Sequence, residues 1–448
     1  MDINELKSVL QQHGVVGAGG AGFPTYAKLD ERAETIILNC AECEPLLRLH
    51  RQLLEKYARE IVDTFHLIGQ AVGAKEVVIG IKKAYAKTIE ALEGVIGTYP
   101  NVRLGLLDEV YPAGDEVVLI YELTGKVVRP GGLPIESGVA VFNVETIYNA
   151  YQAIHKGLPV VDKLVSVVAE VAHPVTLRVP LGMPFEDVVR LAGGATTKNP
   201  VYFIGGPMMG FIAHASMPVT KTTNAILVLP QEHLLVQNKR KKASIDLKRA
   251  AACCCQCTMC TDLCPRNLLG HPVEPHKFML AATCKDIQDP NIFVNTLFCS
   301  SCGLCELYSC FQGLSPRSLM TEYKNGLRQN GITPPQVSPK AVNGGREYRK
   351  VPMERLMARL DLERYDTEAA LDESPVTANR IQIMTSQHIG APASTIVKVG
   401  DAITKGQLIA EPAKGLSVGI HASVTGRVVE VNEKYIVMEA QEGRADNE

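Results

Sequence analysis

No stretch of this 448-residue chain holds the roughly 18 to 20 consecutive apolar residues that a membrane-crossing helix needs. The opening residues, "MDINELKSVLQQHG", lack a signal-peptide core and mix charge with apolar residues at helical spacing. Charge of either sign is not in excess: 46 Lys and Arg stand against 48 Asp and Glu, a net charge of -2. That balance argues against a nucleic-acid partner, which needs a concentrated basic surface. The one basic cluster, "NKRKKASIDLKR" at 238–249, reads as a solvated linker or helix face. The haem attachment pattern C-x-x-C-H does not occur. The expectation is a soluble, intracellular protein, in which 13 cysteines require an explanation other than structural disulfides.

What is present is 46% apolar residues in a chain long enough for two to four domains. Residues 1–163 read as α/β, with buried-strand runs such as "TIILNC" and "EVVIGI" alternating with helical patterns such as "QLLEKYAREIVDTFHLIGQAV". Residues 164–235 form a smaller segment of strand-like runs and one helix, "FEDVVRLAGG", ending in "GGPMMG" at 205–210. The cysteine region spans 236–330, and a Pro- and Gly-rich linker followed by a helix spans 331–380. From 381 to 448 short β-runs alternate with Gly turns in the pattern of a lipoyl-like barrel-sandwich. A carrier domain presents lysine at its hairpin tip; here Ala422, Ser423, Val424 and Thr425 hold that place, so a packing or docking element is expected.

Eleven cysteines crowd between Cys253 and Cys310. Cys254, Cys257, Cys260 and Cys264, followed by Pro265, give C-x2-C-x2-C-x3-C-P, the bacterial ferredoxin run. Cys299, Cys302, Cys305 and Cys310 repeat it, with a last gap one residue longer and Phe311 in place of proline. Three closely spaced thiolates wrap one cubane while the fourth reaches the neighbouring one. One [4Fe–4S] cluster would therefore use Cys254, Cys257, Cys260 and Cys310, and the other Cys264, Cys299, Cys302 and Cys305. Eight sulfurs in two dense quartets overshoot a zinc ribbon, which needs four. Cys253, Cys255 and Cys284 are expected to be small buried apolar residues.

The stretch "GVVGAGGAGFPT" at 14–25 contains G-x-G-x-x-G, but a helical pattern precedes it and Pro24 follows it closely. A dinucleotide fingerprint instead follows a strand and opens a long helix. The expected structure is helix, Gly-rich loop, helix: an anion seat built from free N–H groups and a helix start.

The segment from Gly17 to Lys28 resembles the flavin loop of the NADH-oxidising subunit of respiratory complex I. "NCAECEP", "YPAGDE" and "FNVETIYN" resemble further segments of that family in the same order, and "GGPMMG" is typical of the branch containing the Rnf complex C subunit. The barrel-sandwich pattern comes last, the module order of the PduS-type cobalamin reductases. The resemblance implies an α/β multidomain protein with a Rossmann-like FMN/NADH domain, a β-grasp (SLBB-type) domain, an α-helical two-cluster ferredoxin domain and an all-β barrel-sandwich. It implies that Gly17, Gly19, Gly20 and Gly22 surround the phosphate of a non-covalent FMN. Lys28, Asn39, Glu42, Tyr111, Gly114, Asn143 and Thr146 would line the flavin site. Phe23 would stack on the NADH, with Glu44 and Glu116 at its polar groups. Complex I carries Arg where this chain has Ala18, and lacks cysteine at the positions of Cys40 and Cys43, which are read as bystanders.

The implied activity passes electrons from NADH through FMN and two clusters to cob(III)alamin or cob(II)alamin. The alternative is an Rnf-like electron-transfer flavoprotein between NADH and a ferredoxin or flavodoxin; a third reading is a non-catalytic conduit or shell-associated scaffold. The usual cobalamin-binding pattern D-x-H-x-x-G is absent. Partners implied are cobalamin or a redox acceptor protein, a cobalamin adenosyltransferase and a microcompartment shell protein, with no nucleic acid. The implied location is the cytoplasm, within a bacterial microcompartment.

Overall fold

The run Thr35–Cys40 is almost wholly buried, and both of its faces are apolar, as a central strand of a parallel sheet requires. In the computed structural model, which describes residues 1–284 and 289–441, it pairs in parallel on both sides. Residues 285–288 of the expected cysteine region and 442–448 of the expected C-terminal domain lie outside the described residues. With β1 as Thr35–Cys40, β2 as Glu76–Lys82, β3 as Val102–Leu107, β4 as Val110–Tyr111 and β5 as Val139–Asn143, the sheet order is β3-β2-β1-β5. Five helices accompany it: α1 (Ile3–Gln12), α2 (Leu49–Val72), α3 (Ala86–Ile96), α4 (Glu116–Thr124) and α5 (Val144–Lys156). Ile36 and Leu38 pack in one core with Leu53, Ile61 and Phe65 of α2 and Ile147 of α5. Ile37 faces the other side, in a core with Val117 and Ile120 of α4. Each such fully buried side chain contributes about 1.5–3 kcal/mol.

The strand order creates a reversal at β1. The chain runs β1, β2, β3 outward in one direction and then returns to lay β5 on the opposite side of β1. In open parallel sheets the crevice at such a reversal, outside the carboxyl ends of the strands, is where ligands sit.

The second segment is an antiparallel hairpin, Asp162–Ala169 with Val175–Pro180, then the helix Phe185–Leu191 and three more strands. The strand Ala225–Leu229 lies parallel to Asp162–Ala169 in the same sheet. Its edge is completed by Leu371–Asp372, and Val351–Pro352 pairs with β4. The expected linker is thus stitched into two other segments. Its Pro- and Gly-rich part, though irregular, donates from Lys340 N to Gly270 O and from Asn343 N to Leu268 O, each at 2.9 Å. The cysteine region is built of short helices over a core containing Phe278, Phe298 and Leu319. The C-terminal segment is two small β-sheets; at its tip Ala422 and Ser423 are buried while Thr425 is exposed, and Ser423 Oγ donates to Leu181 O at 2.5 Å. Among the described residues, no helix is long and apolar enough to cross a membrane.

One buried ammonium joins three segments. Lys221 Nζ donates to Gly14 O at 2.7 Å and Gly419 O at 3.2 Å, while Lys221 N donates to Gln387 Oε1 at 3.0 Å. Burial lowers its pKa from 10.5 to about 7. Between those values the unfolded chain holds a proton that the folded chain releases, so the charged-lysine penalty eases as pH rises through this window. Stability should climb with pH between about 7 and 10 from this group, by on the order of 1 kcal/mol per pH unit. Urea denaturation at pH 7.5 and 9.5 should show that increment in the native chain and its loss in Lys221→Met.

Candidate functional site

The carboxyl ends of β1 and β5 open into a cavity of 390 Å³ at the reversal point of the sheet. β1 delivers Asn39, and the turn after it delivers Glu42, Cys43 and Glu44; β5 delivers Asn143, and the first turn of α5 delivers Thr146. Asn143 is the N-cap of α5, its side chain accepting from Glu145 N and Thr146 N, while its Nδ2 meets His50 Nε2 at 2.9 Å. Glu42 caps α2 from outside: its carboxylate accepts from His50 N at 2.7 Å and from Arg51 Nε at 3.0 Å. Asn39 Nδ2 donates to Gly114 O at 3.0 Å, which fixes the segment before α4 against the end of β1.

The Gly-rich loop closes the other side. α1 ends at Gln12 and the chain turns at Gly14, which has positive φ; an antiparallel bridge from Val16 to Pro24 then pinches residues 17–23 into a loop held by Gly17 N donating to Phe23 O at 2.8 Å. The helix expected after Pro24 is a single 3-10 turn, Thr25–Lys28, after which buried Leu29 goes extended. Ala18 N is anchored on Thr146 Oγ1 at 2.9 Å. The N–H groups of Gly19, Gly20 and Ala21 have no acceptor among the described residues, and all three residues line the cavity. Two further buried polar atoms on the cavity residues, Thr25 Oγ1 and His50 Nδ1, are also unpartnered among the described residues. Lys28 Nζ donates to Val141 O at 2.9 Å and lies 3.6 Å from Glu116. Free N–H groups, a cation and unpartnered polar atoms around a cavity of ligand size are the donor set that a flavin phosphate and ring require.

Of the residues singled out from the sequence, Gly17, Gly19, Gly20, Phe23, Lys28, Asn39, Glu42, Glu44, Gly114, Glu116, Asn143 and Thr146 come together on this cavity. Gly22 and Tyr111 do not line it. Gly22 has φ +69 and packs on the C-terminal segment: a Cβ there would stand 2.9 Å from Gln387 O. Tyr111 is buried in β4, outside the parallel sheet, and its hydroxyl donates to Cys302 O at 2.6 Å, so it ties the first segment to the cysteine region. Cys43, His50, Thr25 and Asn224 also line the cavity and were not anticipated from the sequence. For Cys43 the neighbouring Glu42 and Glu44 were the available signal. Glu44 turns its carboxylate to the loop at 205–210, accepting from Met208 N at 2.8 Å and Met209 N at 3.1 Å. Burial pushes its pKa up to about 7 against the pull of those two bonds. Cys40 and Cys43 are free thiols in different packing clusters, not a facing pair.

The two cysteine runs fold alike. Gln256 and Thr258 in the first, Ser301 and Gly303 in the second, take positive φ on either side of the middle cysteine, and a short helix follows in each. Cys254, Cys257, Cys260 and Cys310, with Cys255 beside them, line one small cavity; Cys264, Cys299, Cys302 and Cys305 line another. Among the described residues, no three His, Cys, Asp or Glu side chains converge on the point a single metal ion would occupy. Four cysteine sulfurs around each void are the donor set that a [4Fe–4S] cubane takes. Burial, with neighbouring thiols adding to it, holds Cys260 up to about 12, so binding a cation here must expel protons. After Cys264 the chain enters the helix Pro265–Leu268; after Cys310, without proline, it makes a turn closed by Gly313 N donating to Cys310 O at 3.1 Å. Cys253, Cys255 and Cys284 are exposed, contrary to the expectation of burial. The first two sit where the run leaves its helix and faces solvent.

The second quartet lies nearer the flavin cavity. Arg266, two residues after Cys264, pairs with Asp115, the N-cap of α4, at 2.8 Å, and both side chains are largely buried. Gly303, between Cys302 and Cys305, packs on Met208. The first quartet is the outer one, with Cys257 exposed and Phe311 beside it 61% exposed.

Residues 10–152 match the Nuo51 FMN-binding domain family, 164–212 the SLBB domain, 253–315 the 4Fe-4S dicluster domain and 364–444 the RnfC barrel sandwich hybrid domain. The chain is 39% identical over 441 residues to cobalamin reductase PduS of Salmonella typhimurium, covering 98% of this chain and 97% of that one. It is 37% identical over 445 residues to cobalamin reductase PduS of Citrobacter freundii, with the same coverage. This chain belongs to the PduS cobalamin reductase family. It contains an FMN-binding domain and a 4Fe–4S dicluster domain, so flavin and iron–sulfur cofactors belong to it. Its fold is also similar to crystal structures of NAD+-reducing [NiFe]-hydrogenase. The H2-reduced form gives a TM-score of 0.50 at 20% identity, covering 75% of this chain and 64% of that one. The air-oxidized form gives 0.50 at 18% identity, covering 84% and 68%.

Asp115 and Arg266 carry the seam between the two cofactor regions of this family member. Removing one charge of a buried pair strands the other, so Asp115→Ala should cost about 3–5 kcal/mol. Thermal denaturation of the full chain, compared with the double change Asp115→Ala/Arg266→Met, should show the single change to be the more damaging.

Proposed function

We propose that this chain is an NADH-dependent flavin/iron–sulfur oxidoreductase that reduces cob(III)alamin and cob(II)alamin for coenzyme recycling. The observation that carries the reading is the serial layout. A 390 Å³ cavity, with N–H groups unpaired among the described residues, is tied to an inner thiol quartet by the Asp115–Arg266 pair and the Glu44–Met208 contact, and an outer quartet reaches the surface. This layout occurs in a chain similar over nearly its whole length to two proteins named cobalamin reductase. Bound FMN supplies the exchange between a two-electron hydride donor and one-electron carriers.

The chain's own residues bind and orient. The N–H groups of Gly19 and Gly20, with Gly17 shaping the loop, receive the phosphate, and Lys28 offsets its charge. Asn39, Glu42, Gly114, Asn143 and Thr146 hold the floor rigid through the capping bonds at the ends of β1 and β5. Phe23 and Glu116 stand at the open side, where NADH approaches. Cys254, Cys257, Cys260 and Cys310 hold one [4Fe–4S] cluster, and Cys264, Cys299, Cys302 and Cys305 the other. We assign 1–163 as a Rossmann-like FMN/NADH domain, 164–235 as a β-grasp domain, 236–330 as the ferredoxin domain and 381–448 as the barrel-sandwich. Without D-x-H-x-x-G, cobalamin is met near the outer cluster or handed over by a partner, such as an adenosyltransferase or a shell protein of a cytoplasmic microcompartment. The match of residues 364–444 to the RnfC barrel sandwich favours one second reading, electron transfer between NADH and a ferredoxin or flavodoxin.

Anaerobic titration of the reconstituted chain with NADH, followed by cob(III)alamin, tests the first reading. The flavin and iron–sulfur bands should bleach and reduced cobalamin should appear. Bleaching with cobalamin left oxidised while ferredoxin is reduced would favour the second. Cys305→Ser should lower bound iron from about eight to about four atoms per chain and leave flavin content unchanged.

A further inference from the structure

The loop at 205–210 belongs neither to the flavin cavity nor to a thiol quartet, yet it touches both. Its Met208 is fully buried. On one side the Met208 and Met209 N–H groups donate to the carboxylate of Glu44, a wall of the cavity. That carboxylate lies so close over Gly206 that a Cβ there would stand 2.0 Å from Oε2. On the other side, a Cβ on Gly303 would stand 3.3 Å from Met208 O and 3.4 Å from its Cε. Gly303 lines the inner quartet's cavity, between Cys302 and Cys305. The loop is closed on itself by Gly210 N donating to Gly206 O at 2.8 Å.

We propose that this loop is a positioning element that fixes the separation between the flavin cavity and the inner quartet, with Glu44 as its latch and Met208 as its spacer. The proposal rests on the reading that flavin occupies the cavity and an iron–sulfur cluster the inner quartet. The step it serves is a one-electron transfer, in which the reduced flavin loses one electron and the oxidised inner cluster gains one. The loop takes no electron and no proton. It sets how far apart donor and acceptor are held, and a rate that depends on close approach is lost when that packing slackens. A carboxylate receiving two N–H bonds is a stronger fastener than a neutral side chain of the same shape. An unbranched, polarizable methionine fills an irregular gap between two loops well.

Two measurements on the full chain test this. The first needs no catalysis: at about pH 8.5, where Glu44 is ionised, amide hydrogen exchange at 208–209 should quicken about tenfold or more in Glu44→Gln as the latch loses its charge-assisted bonds. The second is anaerobic stopped-flow with NADH on reconstituted protein, following the flavin and iron–sulfur bands separately. Met208→Ala should leave flavin bleaching within about twofold of native and slow cluster reduction about tenfold or more, with Met208→Leu restoring it. If Met208→Ala loses iron, Met208→Val is read in its place. Native exchange in Glu44→Gln, or native cluster reduction in the alanine or valine variant, overturns the proposal. Failure of NADH to bleach flavin in the native chain would instead overturn the proposed function, and the exchange measurement would still decide the latch.

Discussion

The seam between the parallel sheet and the cysteine region is the constraint on which the rest of the molecule depends. Cofactors that exchange single electrons must be held at fixed spacing, and a linker of ordinary flexibility cannot do that. Here the seam is made of short-range, directional contacts: the Asp115–Arg266 pair and the Tyr111 hydroxyl on Cys302 O. Asp115 serves twice, since the same carboxylate caps α4. Loss of that residue would therefore loosen a helix and an interface together. Val351–Pro352, pairing with β4, adds a backbone seam beside Tyr111.

Around this seam the later parts of the chain act as braces. The strand Leu371–Asp372 completes the second segment's sheet, and the C-terminal sandwich packs its tip on Leu181. The Gly-rich loop, which must stay open enough to receive an anion, is held at its base by Lys221 and by the fit of Gly22 against Gln387. Rigidity is imported from distant sequence because a glycine-rich loop cannot supply its own.

Much of the site was legible because its chemistry depends on local spacing. Cysteine intervals fix a loop conformation, and the two runs repeat the same positive-φ positions. Asn143, placed at the flavin site by the resemblance of "FNVETIYN", is the N-cap of α5, a role its residue type favours but which was not read from the sequence. Gly22 and Tyr111 were harder, since each lies within a flavin-like motif while its contacts come from residues about 365 and 190 positions away. The exposure of Cys253 and Cys255 was missed because composition speaks for cysteine's average burial, not for a helix end that faces water. The tie between Glu44 and Met208 joins residues 164 apart and leaves no trace in local pattern.

The unequal burial of the two quartets has a practical meaning for handling the protein. The inner set includes a buried thiol, Cys305, whereas the outer set presents Cys257 to solvent with two more exposed cysteines alongside. Thiol oxidation follows exposure and thiolate character, so dioxygen and peroxides meet the outer run first. Under the proposed order of carriers, damage in air begins at the end where electrons would leave, and a preparation that still bleaches with its reductant would have lost its outlet.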